Sequence, residues 1–287
     1  MDKRVHAWMQ QCALPDRTEL QEHTLKTEQN IVIGDRCKID YGLHGEDVIV
    51  SEFCTINGHV MAEGDVRLDN WCEVFGDVVT WEDAYLGEGV KIHGRLIVSG
   101  DLDIGDNVQI EKGFEAKGWI CIRNPLPVIT YIVLYLVALL GLDREDEIDA
   151  FLDELFSEDE KEEEPEYKSG GLPLLIPSSS VLNMDIFSVP GSMVIGQDCR
   201  LHGNIRAHEI SVDSGSTVFG SLKAEKSITI QTGATVHGNV ATEGEVVVCK
   251  DSHILGDVVC RSLTVHEEAR VDGTMKAPQG VRIKRDT

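Results

Sequence analysis

The 287-residue chain has few aromatic side chains, an excess of acid over base, no close cysteine pair and no apolar run long enough to cross a membrane. Each shortage removes a class of answer. Aromatic residues make up 6% while glycine is frequent at 27, and a core built on small and β-branched side chains favours strands over a helical bundle. Twenty-six Lys and Arg face fifty Asp and Glu, a net charge of -24, which argues against nucleic-acid binding through phosphate neutralisation. The eight cysteines form no C-x-x-C pair and so match neither common zinc nor redox spacings. Met1-Asp2-Lys3-Arg4 leads into mixed polar sequence and not into an apolar signal core, so the expectation is a cytoplasmic protein. The longest uncharged apolar run, Val128 to Leu142, would cover about 22 Å as a helix, short of the roughly 30 Å hydrocarbon layer.

What is present is a repeat. Glycines recur in a V/I/L-x-G-x-V/I/L frame at Gly58, Gly76 and Gly94, and again at Gly203, Gly220, Gly238, Gly256 and Gly273. Two residues before each stand Ile56, Val74, Ile92, Leu201, Val218, Val236, Ile254 and Val271; two residues after stand Val60, Val78, Leu96, Ile205, Leu222, Val240, Val258 and Met275. A second pair of apolar columns, such as Val66/Leu68, Ile228/Ile230 and Val246/Val248, begins seven or eight residues past the glycine. A small column (Cys54, Cys72, Val90, Cys199, Ser216, Ala234, Ser252, Ala269) lies four before it. All share the parity of inward-facing strand residues. Units of 17 or 18 residues with three short strands cannot bury their apolar faces alone, but stacked coils can. The expected fold is all-β, a three-sided parallel β-helix. Where a unit has 17 residues, the missing one falls at the corner just before Val48, Ile210 or Leu263.

The frame is continuous from 31 to 122 and from about 183 to 283, and the expectation is one stack of about eleven coils. Residues 123–182 then form a lateral insertion replacing a single corner, with two separate solenoids as the alternative. The insertion contains the apolar run, an amphipathic stretch (Ile148, Phe151, Leu152, Leu155, Phe156) and a dense acidic segment: residues 143–164 hold thirteen acids against two bases. It reads as helical, packed on protein or lying at a membrane surface through Val128, Tyr131, Ile132, Tyr135 and Leu139. Residues 1–30 precede the frame, and Val5, Trp8, Met9 and Cys12 share a face that fits a short capping or targeting helix. Residues 284–287 form a tail.

The repeated frame, and above all Val236-His237-Gly238-Asn239-Val240 continued by Val246-Val247-Val248, resembles the bactofilins, the polymer-forming cytoskeletal proteins. The likeness is good over 190–285 and looser over 31–122. It implies a right-handed β-helix, end-to-end assembly into non-polar filaments without nucleotide, and frequent membrane association. The array is about twice the usual family core, and it is interrupted.

No residue set carries a catalytic or metal-ligating pattern, and no cofactor is expected. The expected partner is a second copy of the chain, with the membrane surface as a further contact and nucleic acid as none. Unpaired strand edges at the terminal coils template further strands. The expected polymer interface is therefore Ile31, Ile33 and Ile39 at one end, and Val281 and Ile283 at the other. Phe75, His93, His202, Phe219 and His237 share the outward position before the glycine and form a candidate lateral surface. His202 and His237, two coils apart, are too distant to share a zinc. The stacked Cys37, Cys54 and Cys72 read as small apolar core residues. Two other functions fit part of the pattern: a non-polymerising scaffold of the same fold, and a hexapeptide-repeat acyltransferase, suggested by Ile104–Ile110 and Val194–Cys199. The 17-residue units break the hexad phase that the latter needs.

Overall fold

A computed structural model describes residues 11–21, 23–122 and 172–285, and among these it shows 36 strands and no helix. Almost all of them belong to one compact unit, Met1–Cys121 with Gly170–Thr287. The strands are short, and their side chains alternate in and out as the sequence requires: in Val66–Leu68 the two ends are buried and Arg67 is exposed. Each strand hydrogen-bonds to its counterpart one repeat away. Val66 pairs with Val48 below and Ala84 above, and Val78 with Val60 and Leu96. Twelve strands make one sheet, so the stack has about twelve rungs. Twenty-four make a second, which wraps the other two sides because Asn204–Val212 and Leu222–Ile230 run through a corner. The register slips between Ala207 and Glu209, which is where the 17-residue unit lacks a residue.

The recurring glycine has a steric cause. A Cβ on Gly238 would stand 2.5 Å from the carbonyl carbon of Gly220, and one on Gly76 2.5 Å from that of Gly58. Glycine lies on glycine, and only their bare backbones can approach to one rung spacing. Another corner is made by residues in the left-handed region. Arg36, Phe53, Trp71, Gly89 and Asn107 occupy it on successive rungs, with φ between 56° and 67°. Outside the strands, acidic side chains form ladders. Asp47, Asp65, Asp83 and Asp101 each accept the backbone N–H of the residue 18 further on, at 2.7–2.9 Å. The small column is likewise hydrogen-bonded: the Cys54 thiol donates to the Gly34 carbonyl and Cys72 to Ser51, at 3.1 and 3.0 Å.

The stack is continuous, but its order is not the chain order. Rungs from 31 to 122 advance away from the middle in one direction, and rungs from 193 to 285 advance away in the other. Between them lie two strand sets that each complete the other half of the chain. Leu174–Ile176 and Val181–Leu182 run parallel to Ile31–Ile33 and Lys38–Ile39, forming the inner rung of the first array. Cys12–Leu14 and Glu19–Leu20 run parallel to Met193–Ile195 and Arg200–His202, forming the inner rung of the second. Where the arrays meet, all three sides are antiparallel: Ala13 against Leu175, Leu20 against Leu25, and Leu182 against Phe187. Two hairpins carry the chain across, closed by Gln21 N–H to the Thr24 carbonyl and by Asn183 N–H to the Ile186 carbonyl, both 3.0 Å. The halves are thus related by a local twofold axis through the seam.

This corrects three expectations. Residues 123–182 do not replace one corner: the chain leaves the outermost rung of the first array at Ile122 and re-enters its innermost rung at Leu174, six rungs or about 29 Å back. Residues 174–182 are solenoid strands, not part of an insertion. Cys12 lies in a strand, not on a helix, because its other neighbour is the apolar edge of Met193–Ile195. The expected helix and acidic segment of 123–171, and residues 1–10, lie outside the described residues. No described helix is long and apolar enough to cross a membrane.

Candidate assembly interfaces at the two ends of the stack

Each array closes on a rung whose outer edge has no strand partner among the described residues. At the upper end these strands are Gln109–Ile110, Phe114–Ala116 and Ile120–Ile122. At the lower end they are Arg270–Val271, Met275–Lys276 and Val281–Lys284. One rung inside, Leu102 and Leu263 are sealed. On the outer rung the residues continuing those columns are open: Ile120 48%, Ile122 55%, Val281 48% and Ile283 65% exposed. Phe114 and Met275 are also exposed, while Ile110, Ala116, Val271 and Ala277 are half-buried against the core. Both ends therefore combine a row of unmatched backbone N–H and C=O groups with aliphatic side chains that lack their upper neighbour. Such an edge can take another strand.

Val281 and Ile283 stand where the sequence places them, on a terminal rung. Ile31, Ile33 and Ile39 do not. They are fully buried near the middle of the stack, with strands paired on both sides. They are first in the frame but not last in the stack, since Leu174–Ile176 and Cys12–Leu14 lie beyond them. The real upper edge, Ile120 and Ile122, was legible as the last in-frame pair before the interruption. Val128, Tyr131, Ile132, Tyr135 and Leu139 lie outside the described residues.

The outward rings fall into two stacks, not one stripe. Phe75 and His93 stack at 4.4 Å. Phe219 lies between His202 and His237 at 4.5 and 4.7 Å. Because the arrays wind in opposite senses along the stack, the side holding the first pair continues across the seam into the column of Ile186–Ser188, not into that of His202. His93 also contacts Glu73 through Nε2 and Glu111 through Nδ1, each at 2.9 Å. These carboxylates, Glu73 first, raise its pKa above the ordinary value. Burial pushes the Cys12 and Cys199 thiols up, as expected for core residues and not for nucleophiles.

The lower array is also where a relationship to known proteins appears. The family described as Bactofilin, polymer-forming cytoskeletal, matches residues 188–276. The chain carries a bactofilin domain. No curated protein and no solved structure matches the chain. The bactofilin domain covers the second array from the seam strand Ile186–Ser188 to Met275–Lys276 at the open end. A bactofilin domain on a β-solenoid supports a polymer-forming cytoskeletal protein.

Proposed function

We propose that this chain is a structural, non-enzymatic scaffold of the cytoplasm that self-assembles end to end through the two open edges of its solenoid. The observation that carries this reading is the pair of uncovered terminal rungs, where Ile120 and Val281 stand open over the buried Leu102 and Leu263, and Ile122 and Ile283 are exposed beside them. Covering each such side chain with a second copy contributes roughly 1.5–3 kcal/mol, and strand pairing satisfies the free backbone groups. Negative-stain imaging and sedimentation of the purified full chain test it. Filaments or multi-unit rods that shorten in Ile122→Asp and Ile283→Asp are expected; uniform single rods at all concentrations would refute it. A membrane contact through the apolar run, with Tyr131 and Tyr135 as interfacial anchors, belongs to the same reading. Flotation with neutral vesicles, lost on deleting residues 128–142, is its test.

A further inference from the structure

We propose that assembly is directional: the upper end of one copy, Ile120–Ile122, receives the lower end of the next, Val281–Lys284, and like ends do not join. This rests on the end-to-end reading above and adds which end meets which; it departs from the non-polar filament that the family resemblance implies, because the two ends of this chain carry different side chains.

The internal seam shows how two such arrays meet edge to edge. Their strands are antiparallel, and outward residues oppose outward residues: Ala13 with Leu175, Glu19 with Lys26, and Val181 with Ser188. Both arrays wind outward from this seam, so the two free ends are edges of the same kind. On backbone geometry alone, upper-to-upper, lower-to-lower and upper-to-lower junctions are equivalent.

Side chains break that equivalence. Following the Lys26 column outward through His44, Met61, Val79 and Ile97 leads to Glu115 on the last upper rung. The Glu19 column passes through Arg200, Thr217, Thr235 and His253 to Arg270 on the last lower rung. An upper-to-lower junction of the seam type therefore opposes Glu115 to Arg270, acid to base, in the register in which the seam opposes Lys26 to Glu19. The Val181 column ends at Gln109 and the Ser188 column at Lys276, which brings Lys276 beside Gln109 and its neighbour Glu111. Apolar matching accompanies this, with Ile110 opposite Met275. On the remaining side, Cys121, the middle residue of Ile120–Ile122, meets Arg282, the last residue of the Ala13 column.

Like ends do worse. An upper-to-upper junction sets Glu115 beside Gln109 and Glu111, acid near acid. A lower-to-lower junction sets Arg270 beside Lys276 and Arg282 against its own copy. The wider rungs agree in sign: residues 267–285 carry five bases against three acids, and 105–122 three acids against two bases. Arg270 already leans on Asp272 at 2.6 Å, yet its side chain is 71% exposed and open to a second carboxylate. Like-charge juxtaposition at an interface suppresses the wrong partner more than opposite charge strengthens the right one.

Cysteine cross-linking reads the junction directly. Cys121 is exposed, and the other described thiols except that of Cys249 are buried, so the background is Cys249→Ser. Under mild diamide oxidation of assembled full-length protein, Arg282→Cys is expected to give covalent dimers, trimers and longer ladders, and the parent with Cys121 alone none. Cys121–Cys121 dimers in the parent, or Arg282→Cys dimers that persist in Cys121→Ser, would show like-end joining and overturn the proposal. Charge reversal is the second arm. Glu115→Arg and Arg270→Glu are each expected to raise the assembly concentration roughly fivefold, and the double exchange to bring it back to within about twofold of wild type. Wild-type filaments with unaffected single variants would sink the directionality alone. A wild-type chain that never assembles would sink the end-to-end reading with it.

Discussion

Ala13 and Leu175 lie opposite each other as an antiparallel pair, although the other edge of each strand is parallel to its neighbour. That single contact marks where the direction of the solenoid reverses. The first described strands of the chain complete the second array, and Leu174–Ile176 with Val181–Leu182 complete the first. Neither array is finished by its own continuous sequence. The two are tied by exchange, so each lends the other the rung that covers its inner edge.

Leu20 tests this tie. It is buried, pairs in parallel with Leu201 and in antiparallel with Leu25, and so belongs to both arrays at once. Leu20→Asp puts a carboxylate into the seam without a partner, a change costing about 3 kcal/mol or more. Thermal unfolding is expected to fall by several degrees and to split, as the arrays lose their coupling. Glu19→Gln, one residue away and facing out, is expected to leave a single transition near the wild-type midpoint. Equal behaviour of the two variants would mean that the seam does not couple the arrays.

The glycine column gives a different kind of test, because its demand is for space at Gly238 and for φ at Gly203. At Gly238 a methyl group meets the Gly220 backbone, which has no flexible end to move aside. Gly238→Ala should cost roughly 1–3 kcal/mol by overpacking. Gly203→Ala meets nothing within 4 Å, but its φ of 105° is strained for an L-residue, at a cost of about 1–2 kcal/mol. Urea denaturation at constant slope reads both. A neutral Gly238→Ala would contradict the contact.

Much of this fold is legible in the sequence, and the limit has a physical form. Val74, Ile92, Val236 and Ile254 announce their inward parity, and the short unit before Ile210 announces its corner, because burial and register leave a periodic trace. The reversal leaves none. A column of aliphatics has the same period whether the chain climbs or descends, so Ile31, first in the frame, looks terminal while lying near the middle. Leu174-Leu175-Ile176 looks like the end of an insertion because one side of a rung is too short to show a repeat. Cys12 looks helical because Val5, Trp8 and Met9 precede it at helical spacing. At the ends, Val281 and Ile283 were readable, and Ile120 and Ile122 were visible but their exposure was not. Exposure depends on which rung lies above.

The aspartate ladder predicts a contrast between two substitutions at one site. Asp83 accepts the Asp101 N–H at 2.7 Å, while its own N–H goes to Asp65 at 2.9 Å. Asp83→Ala removes the acceptor and should cost about 1 kcal/mol. Asp83→Asn keeps an amide oxygen there and relieves the repulsion of neighbouring carboxylates, so stability close to or above wild type is expected. Desolvation, partly offset by a hydrogen bond from the Asp83 N–H, raises the pKa of Asp65 in the same ladder. Chemical denaturation of both variants at neutral pH decides it: an Asn variant as weak as the Ala variant would mean that the charge, not the acceptor, holds the rung.

His93 makes the last prediction, and its sign follows from its partners. Each ring nitrogen meets a carboxylate, Glu73 and Glu111, and only the imidazolium can donate to both. The carboxylates hold its pKa above the ordinary value in the folded chain, whereas the unfolded chain keeps a value of about 6.5. The extra stability is therefore fully present below the unfolded value and disappears as pH rises through the folded one. The difference in melting temperature between wild type and His93→Gln is expected to be largest near pH 5.5 and to shrink by about pH 8.5. The ring stack on Phe75 at 4.4 Å does not depend on charge in the same way, so a remainder at high pH belongs to stacking. A difference that stays flat across that range would assign the whole effect of His93 to its ring and none to its proton.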